Sequence, residues 1–168
     1  MTNHITGHYD AVSLLAGEYE MILEKLFELE KLISNYDNKA LEQEINIKFS
    51  GQLNFVYEHA VRYFRMEEEI IFPRLENVLP PHASPGAMKS EHNSIVKMLF
   101  VLREQLKEAD VFTTQFPVLQ AEIIKITADF QRLYHKKYDV MYRELYTFFD
   151  DNTLDKIYSE LKEKIIKS

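Results

Sequence analysis

Apolar residues recur every three or four positions along almost the whole chain, and this period constrains the fold more than any other feature. Steps of three and four place side chains on one face of an α-helix, which turns once in about 3.6 residues. The alternation of apolar and polar residues that is typical of strands does not occur. Only 4 Gly and 5 Pro interrupt the 168 residues, which disfavours a turn-rich sheet protein. The pattern predicts an all-α fold.

The breaks in this period divide the chain into helices. We predict them at about residues 7–35, 40–72, 87–109, from 117 onward, and 154–166. Pro73 ends or kinks the second helix because it has no N–H group, whereas Pro117 suits the first turn of the fourth. Short connections favour an up-down-up-down four-helix bundle at about 7–149 with a short extra C-terminal helix at about 153–166. The length suits a single domain at 1–168.

The charge and the cysteine count narrow the function classes. A net charge of −7 without a basic stripe gives no electrostatic case for binding nucleic acid or an anionic membrane. No apolar run approaches the roughly 18 residues of a membrane span. The chain has no Cys, which excludes disulfides and thiolate chemistry by its own residues. We expect a cytoplasmic location, since no signal-peptide pattern opens the sequence.

Polar residues interrupt the apolar faces at helical spacing. Tyr63 with Glu67 and His135 with Asp139 are i, i+4 pairs, and His92 lies among apolar residues in the third helix. Side chains at this spacing share one face, so one ion can contact both. A His nitrogen with a carboxylate oxygen suits iron, manganese or zinc. Taken alone, however, such a pair is more often an ion pair on a helix surface, and an isolated buried His is more often a core residue.

Four stretches carry a resemblance to a known family. Residues 63–73, with Glu67-Glu68 following Tyr63 and Phe72-Pro73 at the end, are similar to the second-helix motif of hemerythrin-like (HHE cation-binding) domains. Residues 90–95 resemble the Glu-His motif of the third helix. Residues 135–142 resemble the fourth-helix motif, a His followed after three residues by an acid. Residues 17–23 line up with the first-helix motif. The order and spacing of these stretches cover nearly the whole chain.

The resemblance implies a four-helix bundle that holds a non-haem di-iron centre. The metal ligands that the resemblance implies are Tyr19, Tyr63, Glu67, His92, His135 and Asp139. Glu67 and Asp139 would bridge the ions, and Tyr19 and Tyr63 stand where the family has His. The implied cofactor is iron, as two ions, with manganese or a mixed pair as alternatives. The implied ligands are oxygen, nitric oxide or peroxide, and a second copy in a homodimer or a separate signalling protein are the alternative partners.

Tyrosine ligands would change what such a centre does. A phenol with an ordinary pKa of about 10 must lose its proton to bind a metal, and a phenolate favours ferric iron. Sensing of oxygen, nitric oxide or peroxide, or handling of iron, is therefore favoured over reversible oxygen carriage.

Three alternatives stay open. Tyr19 and Tyr63 also suit the core of a metal-free helical interaction protein with a degenerate site. His59 or His8 could take part in a displaced site. A di-metal peroxidase or oxidase is the third alternative, so the residues do not decide whether the protein is an enzyme.

Overall fold

The computed structural model of the protein describes residues 10–35, 42–108 and 115–167. Within these ranges the chain is almost entirely helical and has no strand. The helices are α1 (Ala11–Ser34), α2 (Glu42–Met66), α3 (Pro85–Gln105), α4 (Phe116–Lys136) and α5 (Asp151–Lys167). The predicted all-α fold is confirmed.

The first four helices enclose one core. Helix α1 contacts α2 and α4, and α3 contacts the same two helices. Neighbours in sequence are thus neighbours in space, and the first helix closes against the fourth, which is the arrangement of an up-down-up-down bundle. Helix α5 packs on α1 and on the turn that follows α2. The predicted bundle with an extra C-terminal helix is confirmed, and the assignment of 1–168 to a single domain stays a prediction.

Local sequence explains where several helices begin. The Oδ1 atom of Asp10 accepts a hydrogen bond from the Ser13 N–H at 2.8 Å at the start of α1. Asp150 accepts from the Thr153 N–H at 2.8 Å at the start of α5. Such caps satisfy N–H groups that have no partner within the helix. Pro117 lies in the first turn of α4, as predicted.

Two helices continue into a wider, π-helical turn. Helix α2 runs into the first wide turn (Glu67–Ile71) and then one α-helical turn (Phe72–Leu75). Helix α4 runs into the second wide turn (Lys137–Tyr142) and then a segment Arg143–Phe148. The backbone hydrogen bonds of such a turn span five residues, so side chains i and i+5 lie closer to one face than they do in a regular α-helix. The helical backbone continues for two residues beyond Pro73, to Leu75, and the prediction that Pro73 ends or kinks the helix stays a prediction.

The predicted site residues of α1 and α3, Tyr19 and His92, lie on the buried faces of their helices, but the buried face of α4 is not the one that carries His135 and Asp139. The buried residues of α4 are Leu119, Ile123, Ile126, Thr127, Phe130 and Leu133. This stripe continues at Lys137, four residues after Leu133. His135 and Asp139 lie two positions before and after Lys137, on the opposite side of a helix, and both are exposed. The prediction that these two residues face the interior is therefore wrong.

Candidate cation site

A polar cluster lies in the middle of the otherwise apolar core. We call it the central cluster, and its members are Tyr19, Tyr63, Glu67, His92, Lys137 and Tyr142. All four helices of the bundle or their wide turns contribute to it, and each member is at most 2% exposed. Because water does not reach these groups, every charge and hydrogen-bond donor must find its partner inside the protein.

The ammonium group of Lys137 is the centre of this cluster. Its Nζ atom donates to the phenol oxygen of Tyr19 and to Oε2 of Glu67, and it lies 2.7 Å from Nε2 of His92. An ammonium group has three N–H donors and no acceptor. The three contacts therefore satisfy all of its hydrogen-bonding capacity.

Aromatic rings surround the same charge. The Lys137 Nζ atom lies 4.5 Å from the ring centroid of Tyr19, 5.3 Å from that of Tyr63 and 5.0 Å from that of Phe64. A cation within about 6 Å of an aromatic centroid is attracted by the electron-rich ring face. The rings thus add to the stabilisation of the ammonium group while they keep water away from it.

Glu67 supplies the negative charge of the cluster. The Tyr63 hydroxyl donates to Oε1 of Glu67 at 2.6 Å, and the Tyr142 hydroxyl lies 2.8 Å from that of Tyr63. Since the single proton of Tyr63 is engaged by Glu67, Tyr142 donates to Tyr63. Burial raises the pKa of Glu67, but the positive charge of Lys137 opposes burial, and the pKa of the carboxyl is lowered. Glu67 is therefore an ionised carboxylate.

His92 is neutral, and its two ring nitrogens have different partners. Burial and the nearby charge of Lys137 lower the pKa of the imidazole. Because Nε2 accepts from Lys137, Nδ1 carries the proton and donates to Oε1 of Glu68 at 2.9 Å. The ring also stacks on Phe64, with centroids 3.9 Å apart and planes inclined by 3°. The imidazole is thus fixed in position and tautomer.

The tyrosines of the cluster are phenols rather than phenolates. Burial, together with the charge of Glu67, raises the pKa of Tyr19 and Tyr63 well above the usual range. The same two causes raise the pKa of Tyr142. A tyrosine must lose its proton to bind a metal as phenolate, and the raised pKa values make this loss costly for all three residues.

The structure brings together four of the six predicted ligands. Tyr19, Tyr63, Glu67 and His92 belong to the central cluster, whereas His135 and Asp139 are exposed on α4 and its wide turn. His59 is half-buried, and its Nδ1 lies 2.9 Å from the guanidinium group of Arg62. His8 lies outside the described residues.

Sequence reasoning missed Lys137 and Tyr142 as members of the site. The signal for Lys137 was its place on the apolar stripe of α4, four residues after Leu133. Tyr142 follows Lys137 by five residues, a spacing that shares a face only when the turn is wide.

The residues at the centre do not fit a metal ion. Glu67 and His92 are the two members with conventional metal-donor chemistry, and the described part of the chain contains no group of three or more His, Cys, Asp or Glu side chains that could hold an ion. Lys137 lies against both donors, so an ion at this point would meet a positive charge at hydrogen-bond distance. The ligand roles that the resemblance implies for the four clustered residues stay predictions.

We expect Lys137 to titrate near pH 8, because burial lowers the pKa of its ammonium group to about 8 although Glu67 opposes this shift. The unfolded chain, with an ordinary lysine pKa of about 10.4, then binds more protons between these two pH values. The contribution of Lys137 to the free energy of unfolding therefore rises with pH across this window and is lowest below it. A ¹³C NMR titration of the lysine ε-carbons measures the midpoint, and loss of the signal in Lys137→Met assigns it. If the midpoint assigned to Lys137 lies above pH 10, burial does not lower the pKa of its ammonium group, and the prediction is wrong.

Comparison with known proteins gives a match over most of the chain. A family model described as the hemerythrin HHE cation binding domain matches residues 10–132. The matched range includes the cluster residues of α1, α2 and α3 and ends before Lys137. No match is found among curated proteins. None of the helices in the described ranges is both long and apolar enough to span a membrane.

Proposed function

The chain belongs to the hemerythrin HHE cation-binding family, and from this membership we propose that its bundle keeps a central cation site and fills it with the ammonium group of Lys137. The protein then works without a metal ion, as a helical interaction protein built on the family's bundle. The observation that carries this proposal is the contact of Lys137 Nζ with both Glu67 and His92. The family is described as binding a cation, and in this chain the ammonium group of Lys137 takes the place of that cation.

The internal ammonium group meets the electrostatic requirement of the site. A buried carboxylate without a counter-charge is strongly destabilising, and Lys137 neutralises Glu67 at direct contact. The hydrogen bonds of the cluster join side chains from α1, α2, α3 and the two wide turns. A fully satisfied buried network of this kind favours one arrangement of the helices over others.

The competing proposal is the di-iron centre that the resemblance implies, with a role in handling or sensing oxygen, nitric oxide, peroxide or iron. That centre would need Lys137 to withdraw from Glu67 and His92. Tyr19 and Tyr63 would also have to give up protons that burial holds tightly. Because both changes cost free energy, the geometry favours the metal-free protein. Peroxidase or oxidase activity of a di-metal site depends on the same changes. The homodimer, the signalling partner and the cytoplasmic location stay predictions.

Metal reconstitution tests the proposed function. Wild-type protein purified without chelator, incubated anaerobically with Fe(II), Mn(II) or Zn(II) and desalted, is expected to retain less than about one-third of an ion per chain. Its melting temperature should not change, since only a ligand that binds the native state raises it. Uptake of about one or two ions per chain with a higher melting temperature would overturn the proposal. So would a visible iron–phenolate band that disappears in the Tyr19→Phe/Tyr63→Phe variant.

A further inference from the structure

We infer that the central cluster is a recognition site for a primary ammonium group, with the side chain of Lys137 as its resident ligand. The inference rests on the proposed function and goes further, because it assigns the site a chemical selectivity. The site is expected to accept a free primary ammonium ion when the lysine amine is removed, and to reject divalent metal ions.

The acceptors match the number and charge of an ammonium group. Tyr19 offers a phenol oxygen, Glu67 a carboxylate oxygen and His92 an imidazole nitrogen, one for each N–H of Lys137. Glu67 is the single negative charge among the three. A monovalent cation therefore leaves the buried site neutral, whereas a divalent ion leaves an uncompensated charge that Glu67 and His92, the two conventional metal donors present, do not offset.

Aromatic rings also surround the cation. Rings of Tyr19, Tyr63 and Phe64 lie within 5.3 Å of the Lys137 nitrogen. Aromatic faces attract organic ammonium ions, but they provide none of the oxygen or nitrogen lone pairs that iron, manganese or zinc require. These rings therefore favour an ammonium ion over a divalent metal ion, as the single negative charge of Glu67 also does.

Two of the three acceptors, His92 and Glu67, are held by partners other than Lys137. The hydrogen bond from Nδ1 to Glu68 directs Nε2 of His92 toward the site, and stacking on Phe64 fixes the plane of the ring. The hydroxyl of Tyr63 holds the other oxygen of Glu67. Since these contacts do not involve the amine, the acceptor arrangement is expected to persist when the lysine side chain is shortened.

Shortening Lys137 and returning the missing atoms as a free ion tests the inference. Lys137→Ala removes the atoms of n-propylammonium, and we expect this ion, at roughly 10–100 mM, to raise the melting temperature of the variant by several degrees. Tetramethylammonium, which has no N–H donors, and Zn(II) or Mn(II) should have no such effect. Lys137→Met is the matched control, because its side chain fills the space and should abolish the response to n-propylammonium.

The outcomes separate this inference from the proposed function. Stoichiometric uptake of metal by Lys137→Ala, or an equal response to uncharged n-propanol, would overturn the ammonium selectivity even if the wild type binds no metal. Metal uptake by the wild type would instead overturn the proposed function itself.

A second variant keeps the test decisive if Lys137→Ala does not fold. The chain has no Cys, so Lys137→Cys introduces a single thiol that can be alkylated in denaturant. Reaction with 2-bromoethylamine, with loss of bromide, rebuilds a side chain of lysine length that ends in an ammonium group, and iodoacetamide adds an uncharged group instead. We expect only the aminoethylated protein to refold with a melting temperature close to that of the wild type. Equal refolding and stability of the two adducts would overturn the inference.

Discussion

Lys137→Met is expected to lower the free energy of unfolding by roughly 3–5 kcal/mol, because it leaves the charge of Glu67 buried without a counter-ion. Glu67 is 0% exposed, so water cannot take over the role of the ammonium group. Methionine is similar in length to the apolar part of lysine, and the loss is therefore not the consequence of a cavity. Urea unfolding followed by circular dichroism gives the free energy.

Two matched variants identify the buried charge as the cause. Lys125→Met removes a lysine from α4, which precedes the wide turn of Lys137; this lysine is 62% exposed and paired with Asp129, and its loss should change stability by no more than about 0.5 kcal/mol. Adding Glu67→Gln to Lys137→Met should recover roughly half of the loss or more, since both charges are then absent. A loss below about 1 kcal/mol in Lys137→Met would show that Glu67 does not depend on Lys137.

Tyr63→His/Lys137→His is expected to bind about one divalent metal ion per chain, in contrast to the wild type. The substitution at 137 removes the positive charge from the site. The two introduced imidazoles then join Glu67 and His92, so that four conventional donors converge from facing helices of one bundle. Zn(II) should raise the melting temperature of this variant, and Co(II) should give it a visible absorption band.

The single variant Tyr63→His is the control for this gain of metal binding. It adds an imidazole but retains the ammonium group of Lys137 beside Glu67 and His92. We therefore expect its metal content to stay near that of the wild type. Equal metal uptake by the single and double variants would show that Lys137 is not the obstacle to metal binding.

The helical fold and much of the site could be predicted from the sequence. The three- and four-residue steps of α1 predict its buried face, including Tyr19, because each turn contributes apolar area to the same side. The motifs of α2 and α3 pointed to Tyr63, Glu67 and His92, which do lie together. These residues belong to regular helices or directly follow one, so that spacing along the chain translates into position in space.

The residues that α4 and its wide turn contribute to the central cluster could not be predicted by the same reasoning. The i, i+4 rule selected His135 and Asp139 because His and Asp are familiar metal ligands. The apolar stripe, however, runs from Leu133 to Lys137, and the second wide turn brings Tyr142 onto the same side. Lysine is rarely buried unless it is paired, and its partners lie on three other helices, far away in sequence.

The sequence by itself determined that this chain forms a helical bundle of the hemerythrin family with polar groups in its core. The free energy gained by burying apolar surface is a sum over many residues, so the fold does not depend on any one of them. Only the tertiary structure decided which cation those polar groups meet. A rotation of α4 by two residues would exchange Lys137 for His135 or Asp139, and packing against α1 and α3 selects the rotation that buries the apolar stripe. The ammonium group reaches the centre of the bundle because the stripe that carries it does.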